Sequence, residues 1–152
     1  PHLGREQRRP GRHFVLHASR DRRAGVSDRT ICVIDDDVAV LKGVSRLLKA
    51  WGFCVQAFPS AQQFLQQLTD DDSHIGCLLI DVYMPGMSGV ELRVLLDRAQ
   101  RRFPIIFLTG VGGDTLRRRA MADGAVCVLE KPFDDVELRR AVEEALLLRS
   151  SV

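Results

Sequence analysis

The sequence predicts an α/β domain: a doubly wound, five-stranded parallel sheet with helices on both faces. Three observations lead there. From Thr30 onward, short apolar runs alternate with stretches whose apolar residues recur every three or four positions, five of each in strict order. The first, third and fourth runs are continuously apolar, as suits strands covered on both faces. The strict alternation implies right-handed βαβ crossovers, because parallel neighbours need a helix-length connection.

Each element has its own signal. "TICVID", starting at Thr30, is a β-branched apolar run and reads as the first strand. Leu41, Val44, Leu47, Leu48 and Trp51 mark one face of a helix, with Asp37 at the N-cap and Gly52 at the stop. "FCVQAF" gives a second strand, and Ser60 caps a helix carrying Ala61, Phe64, Leu65 and Leu68. "CLLID" is the third strand, ending at Asp81, and Ser88 begins a helix through Leu92, Leu95 and Leu96. Pro104 opens the fourth strand, "IIFLTG". A polar, arginine-rich helix follows from about Asp114 to Ala122 and ends at Gly124. "AVCVLE" makes the fifth strand. Asp134 and Glu137 form a capping-box pattern for the last helix, with Leu138, Ala141, Val142 and Ala145 inward.

At 152 residues the chain is long enough for one domain with a proper core. Its net charge of +2 conceals two different materials. Residues 1–29 carry eight arginines against three acids and only one short apolar cluster, Phe14 to Leu16. They read as a flexible, Arg-rich leader, with residues 30–150 forming the domain. A basic arm of this kind could touch nucleic acid or an acidic partner, or simply be solvated. No apolar stretch is long enough to cross a bilayer, and no signal-peptide pattern is present. Cys32, Cys54, Cys77 and Cys127 lack CxxC spacing and lie in apolar runs, which suggests reduced, buried thiols and a cytoplasmic location. His2, His13, His17 and His74 have no zinc-site partners.

Ligands of open α/β sheets bind beyond the carboxyl ends of the strands. Here those ends carry reactive groups: Asp35, Asp36 and Asp37 after the first strand, Asp81 on the third, Thr109 on the fourth, and Lys131 followed by Pro132 after the fifth. Carboxylates held together repel one another unless a cation intervenes. An oxygen-only donor set favours a hard ion, and magnesium fits because it accepts few carboxylates and bridges to phosphate. Singly, each residue has a bland reading: Asp37 as a helix cap, Asp35 or Asp36 as loop solvation, Thr109 as a backbone-bonding hydroxyl, Lys131 as a surface charge. Their joint placement is what argues for a site. Gly110–Gly113 has no phosphate-loop spacing and reads as a flexible connection, and Asp70–Asp72 reads as a solvated turn.

The stretches "VIDDD", "LLIDVYMPGMSG", "FLTG" and "GAVCVLEKPF", in this order and spacing, resemble a receiver domain of a two-component response regulator, in the style of the nitrogen-fixation-type regulators. The resemblance covers about Thr30 to Leu148. It implies a flavodoxin-like (βα)5 fold with strand order 2-1-3-4-5. Asp81 would accept a phosphoryl group from a histidine kinase. Asp36, Asp81 and the backbone carbonyl of Tyr83 would bind Mg2+, with Asp35 acting through water. Thr109 and Lys131 would contact phosphoryl oxygens, and the Lys131–Pro132 bond would be cis. Implied partners are a sensor histidine kinase, a downstream output domain or protein, and a second copy in a phosphorylation-linked homodimer. Neither membrane contact nor direct nucleic-acid binding by the receiver is implied.

Two features depart from the pattern. The switch aromatic expected three residues before the lysine is Val128, whose single stiff rotatable bond cannot make that swing. A muted or altered switch is the consequent hypothesis. The sequence also ends about four residues after the last helix pattern. The domain therefore either stands alone or has an output domain outside this sequence, with transcription the expected output. Arg117, Arg118 and Arg119 read as a solvated helix face or a partner surface. Two other functions compete: a phosphorylation-independent interaction module, kept open by Val128, and a Mg2+-dependent phosphohydrolase with Asp81 as nucleophile. Against the latter, Tyr83 stands where such phosphatases carry a second aspartate.

Overall fold

A computed structural model describes residues 28–110 and 114–150. The leader expected over residues 1–29 lies almost wholly outside the described residues, as does most of the expected connection at Gly110–Gly113.

The elements run β1 (Thr30–Ile34), α1 (Val38–Ala50), β2 (Cys54–Phe58), α2 (Ala61–Gln67), β3 (Ile75–Asp81), α3 (Gly89–Arg98), β4 (Ile105–Thr109), α4 (Asp114–Ala122), β5 (Cys127–Glu130) and α5 (Asp135–Ser150). All strand pairs are parallel, and the sheet order is β2-β1-β3-β4-β5. The predicted fold class and strand order are therefore what the chain adopts.

The continuous apolar runs are explained by two cores, one on each face of the sheet. Cys32 and Ile34 of β1, Leu78 and Ile80 of β3 and Phe107 of β4 pack with Phe64 of α2 and Leu92 and Leu96 of α3. Their neighbours Ile31, Val33, Cys77, Leu79, Ile106 and Leu108 point the other way, onto Val44 and Leu48 of α1 and Leu138 and Val142 of α5. Successive strand residues face opposite sides, so a strand with helices on both must be apolar throughout. Each fully buried Leu, Ile or Phe contributes roughly 1.5–3 kcal/mol.

The helix starts follow their signals. Asp37 Oδ1 accepts from the backbone N–H groups of Ala39 and Val40, and Ser60 Oγ accepts from Gln63. Ser88 and Glu91 exchange side-chain and backbone bonds at 3.1 and 3.0 Å, and Asp134 and Glu137 do the same at 2.8 and 3.3 Å. Gly52 follows α1 with φ +93°, the left-handed turn that stops the helix.

Four expectations need correction. β5 begins at Cys127, two residues after the predicted start at Ala125. β3 begins at Ile75, two residues before the predicted start. Gly76 makes this possible: a Cβ there would lie 2.4 Å from Leu146 Cδ2 and 2.9 Å from Arg29 Cβ. Leu95 is exposed, and α3 packs through Leu92 and Leu96. Of the four cysteines, Cys32 and Cys77 are buried, Cys127 is half-buried, and Cys54 is exposed. Cys54 opens the edge strand β2, where only one side of the strand has a sheet neighbour. Arg117, Arg118 and Arg119 are all exposed on α4.

Candidate functional site

Strand register assembles the site. Ile34 of β1 is level with Ile80 of β3, so the residues that follow, Asp35 and Asp81, emerge together. Asp81 is level with Leu108 of β4, and Thr109 is level with Glu130 of β5. Lys131 follows Glu130, and its N–H donates to the Thr109 carbonyl at 2.7 Å. The Lys131–Pro132 peptide is cis.

Oxygens of Asp35, Asp36 and Asp81 all lie within 4.8 Å of one another. Asp35 is fully buried and Asp81 nearly so, whereas Asp36 is exposed, so the acidic group opens to solvent at Asp36. Asp35 is held from two sides: Oδ1 accepts from the Asp37 N–H at 2.9 Å, and Oδ2 accepts from Lys131 Nζ at 2.7 Å. The same Nζ stands 3.6 Å from Asp81 Oδ1. One ammonium thus serves two buried carboxylates and leaves a surplus of negative charge.

That surplus is visible in the acidity of Asp81. Burial and the negative charge of Asp35 push its carboxyl up to about 6, against the opposing pull of Lys131 and a backbone hydrogen bond from Tyr83. Burial works against the charge on Lys131, but the ion pair with Asp35 and the charges of Asp81 and Asp37 outweigh it and raise its pKa. Thr109 is fully buried at the end of β4. Tyr83 lies two residues past Asp81, with its ring exposed.

The sequence reading missed Gly89. A Cβ there would lie 2.5 Å from the Asp81 carbonyl oxygen and 2.8 Å from Ile80 Cγ2, and the Gly89 N–H donates to the Val82 carbonyl at 3.0 Å. Gly89 therefore lets α3 start against the end of β3 and fixes the backbone that carries Asp81. The signal was present as a glycine directly after the helix cap Ser88, but only the fold shows what it approaches. Met84, buried between Asp81 and Gly89, anchors the intervening loop.

Chemically, the donor set is all oxygen: three carboxylates with neither imidazole nor thiolate in the group. It fits a hard divalent cation, and Mg2+ in particular. A carboxylate beside an ammonium, at the open edge of a rigid strand, suits acceptance of a phosphoryl group.

A model of the response regulator receiver domain family matches residues 31–143. The chain belongs to this family. This receiver is 43% identical over 116 residues to the transcriptional regulatory protein FixJ of Bradyrhizobium diazoefficiens, covering 76% of the chain and 56% of that relative. It is 40% identical over 125 residues to the response regulator protein TodT of Pseudomonas putida, covering 81% of the chain and 54% of TodT. Among solved structures it resembles the response regulator StyR, with a TM-score of 0.75 and 39% identity over 82% of this chain and 62% of that one. It also resembles the FixJ-N crystal structure, with a TM-score of 0.68 and 36% identity over 79% of this chain and 94% of that one. The receiver spans about half the length of these curated relatives. No helix among its described residues is long and apolar enough to cross a membrane.

Proposed function

We propose that this receiver is a phosphorylation-controlled signalling domain, modified on Asp81 by a sensor histidine kinase in the cytoplasm. The observation that carries the reading is the convergence of Asp35, Asp36, Asp81 and Lys131 from three strand ends onto one open pocket.

Asp36, Asp81 and the Tyr83 backbone carbonyl would hold Mg2+, with Asp35 acting through water. When bound there, the ion supplies positive charge that offsets the carboxylates and the incoming phosphate. Asp81 acts as the nucleophile. Its carboxylate oxygen forms a bond to phosphorus as the P–N bond to the donor imidazole breaks, and the electron pair leaves with the imidazole. Lys131 holds one oxygen of the transferred group and the Thr109 hydroxyl donates to another. The resulting acyl phosphate hydrolyses to restore Asp81, so the mark is temporary. The domain catalyses its own modification and its loss, and turns over no other substrate.

The downstream partner would be an output domain or a separate protein, with transcription the favoured output, because the relative FixJ is a transcriptional regulatory protein. A second copy of the chain is a further partner for the phosphorylated state. A test is incubation with Mg2+ and acetyl phosphate followed by intact-mass measurement. Wild type should gain one labile phosphoryl group and Asp81→Asn none; an unmodified wild type, or equal modification of both, contradicts the reading.

One observation favours a second reading, a phosphorylation-independent interaction module. Val128, on β5, is buried in the core and presents no aromatic ring that could exchange between two positions.

A further inference from the structure

The two edges of the sheet are treated differently. β5 is four residues long, ends on the charged Glu130, and has Arg117 donating to its Val128 carbonyl at 3.4 Å. Charge, shortness and side-chain cover are how edge strands avoid recruiting further strands. β2, "CVQAF", is five residues long and carries no charge, no proline and no glycine.

The hydrogen-bond pattern identifies the groups that β2 leaves unused. The Asp35 N–H donates to the Phe58 carbonyl, so Phe58, and with it Gln56 and Cys54, directs its backbone toward β1. Val55 and Ala57 direct theirs outward. Among the described residues no hydrogen bond reaches those outward groups.

Grooves flank this open edge on both faces of the sheet. On the α1 side, a groove of about 490 Å³ is lined by Val38, Leu41 and Ala57 and rimmed by Lys42, Arg46 and Lys49, with no acid in its lining. Ser45 also lines it, and its buried Oγ has no hydrogen-bond partner among the described residues. On the α2 side, a groove of about 470 Å³ beside Ala57 is lined by four glutamines, Gln56, Gln63, Gln66 and Gln67. A strand laid along β2 would send alternate side chains into these two grooves.

The geometry points to β2 as a docking edge for an extended segment of an acidic partner protein, with carboxylates directed to the α1 side and hydrogen-bonding side chains to the glutamines. Backbone pairing to Val55 and Ala57 supplies attachment, and the two grooves supply selectivity. Charge complementarity selects this occupant. A second copy paired through β2 in one continuous sheet would set two rows of Lys42, Arg46 and Lys49 side by side, and like charges there repel. Residues 1–29 of the chain itself, with eight arginines against three acids, carry the wrong sign.

The test is an NMR titration of the isotope-labelled full chain with a short peptide of alternating Glu and Thr. The controls are alternating Lys–Thr and alternating Glu–Pro; the latter keeps the charge but cannot pair as a strand. Only Glu–Thr should shift and protect the Val55 and Ala57 amides. Ala57→Pro removes an outward N–H and leaves the β1 ladder intact, so it should weaken binding roughly tenfold. Should that variant misfold, Lys42→Glu with Arg46→Glu serves instead and should transfer the preference to Lys–Thr. Equal response to Glu–Thr and Glu–Pro, shifts confined to other elements, or peptide-free, concentration-dependent protection of Val55 and Ala57 would each overturn the proposal, the last by making a second copy the occupant.

Discussion

Lys131 and Asp35, 96 positions apart in the sequence, meet at 2.7 Å, and the same ammonium lies 3.6 Å from Asp81. This cation ties β5 to β1 and β3 and moderates a pocket whose charge is otherwise all negative. Removing it should therefore be felt in stability as well as in chemistry. Lys131→Met is expected to destabilise the domain by roughly 2–3 kcal/mol in urea unfolding without divalent ions, because Asp35 stays buried and unpaired. Added Mg2+ should recover part of that loss.

Asp81 gives a pH prediction with a definite sign. Its carboxyl is raised from 3.8 to about 6 in the folded chain. Between those values the folded state binds the proton more tightly than the unfolded state, so stability falls as pH rises through this window. Above it, the ionised carboxylate is a standing penalty on the folded state. Without divalent ions, Asp81→Asn should be more stable than wild type at pH 7–8, with the advantage shrinking as pH falls from about 6 toward 4. Thermal melts of the two proteins across that range check it; an advantage that stays constant with pH contradicts it.

Gly89 should be as sensitive as the acids. Gly89→Ala places a methyl group 2.5 Å from the Asp81 carbonyl oxygen, so either α3 or the end of β3 must move. The expected destabilisation is about 2 kcal/mol, within the usual range for overpacking. Acetyl phosphate labelling should slow by more than about tenfold, because the nucleophile is displaced. Normal labelling with normal stability would show that the backbone there is more yielding than its packing suggests.

Val128 makes a prediction about output. It is buried, and its side chain has no alternative position of the kind an aromatic ring would have. Beryllofluoride with Mg2+ should therefore perturb the amides at the ends of β3 and β4 far more than those of β5 and α4. A large rearrangement spread over α4, β5 and α5 would show that switching proceeds without the ring.

Much of this was legible in the sequence because the relevant signals are local. Asp37, Ser60, Ser88 and Asp134 cap helices through bonds that span two or three residues, and caps of that kind are written in adjacent letters. The strand ends carrying Asp35, Asp81, Thr109 and Lys131 were readable because each apolar run stops at them. What escaped depends on distant parts of the chain. Gly76 and Gly89 matter through Leu146 and the Asp81 backbone, which no local pattern reveals. Cys54 looked like a core thiol because its run is apolar, yet the sheet order puts that run at an edge.

The acidic pocket itself admits the most direct test. A crystal structure of the chain with Mg2+ and beryllofluoride should show the mimic on an Asp81 oxygen, the ion between Asp36 and Asp81, and Lys131 and Thr109 reaching the fluorides. A vacant pocket at saturating ligand, or a mimic bound away from Asp81, would contradict the central claim.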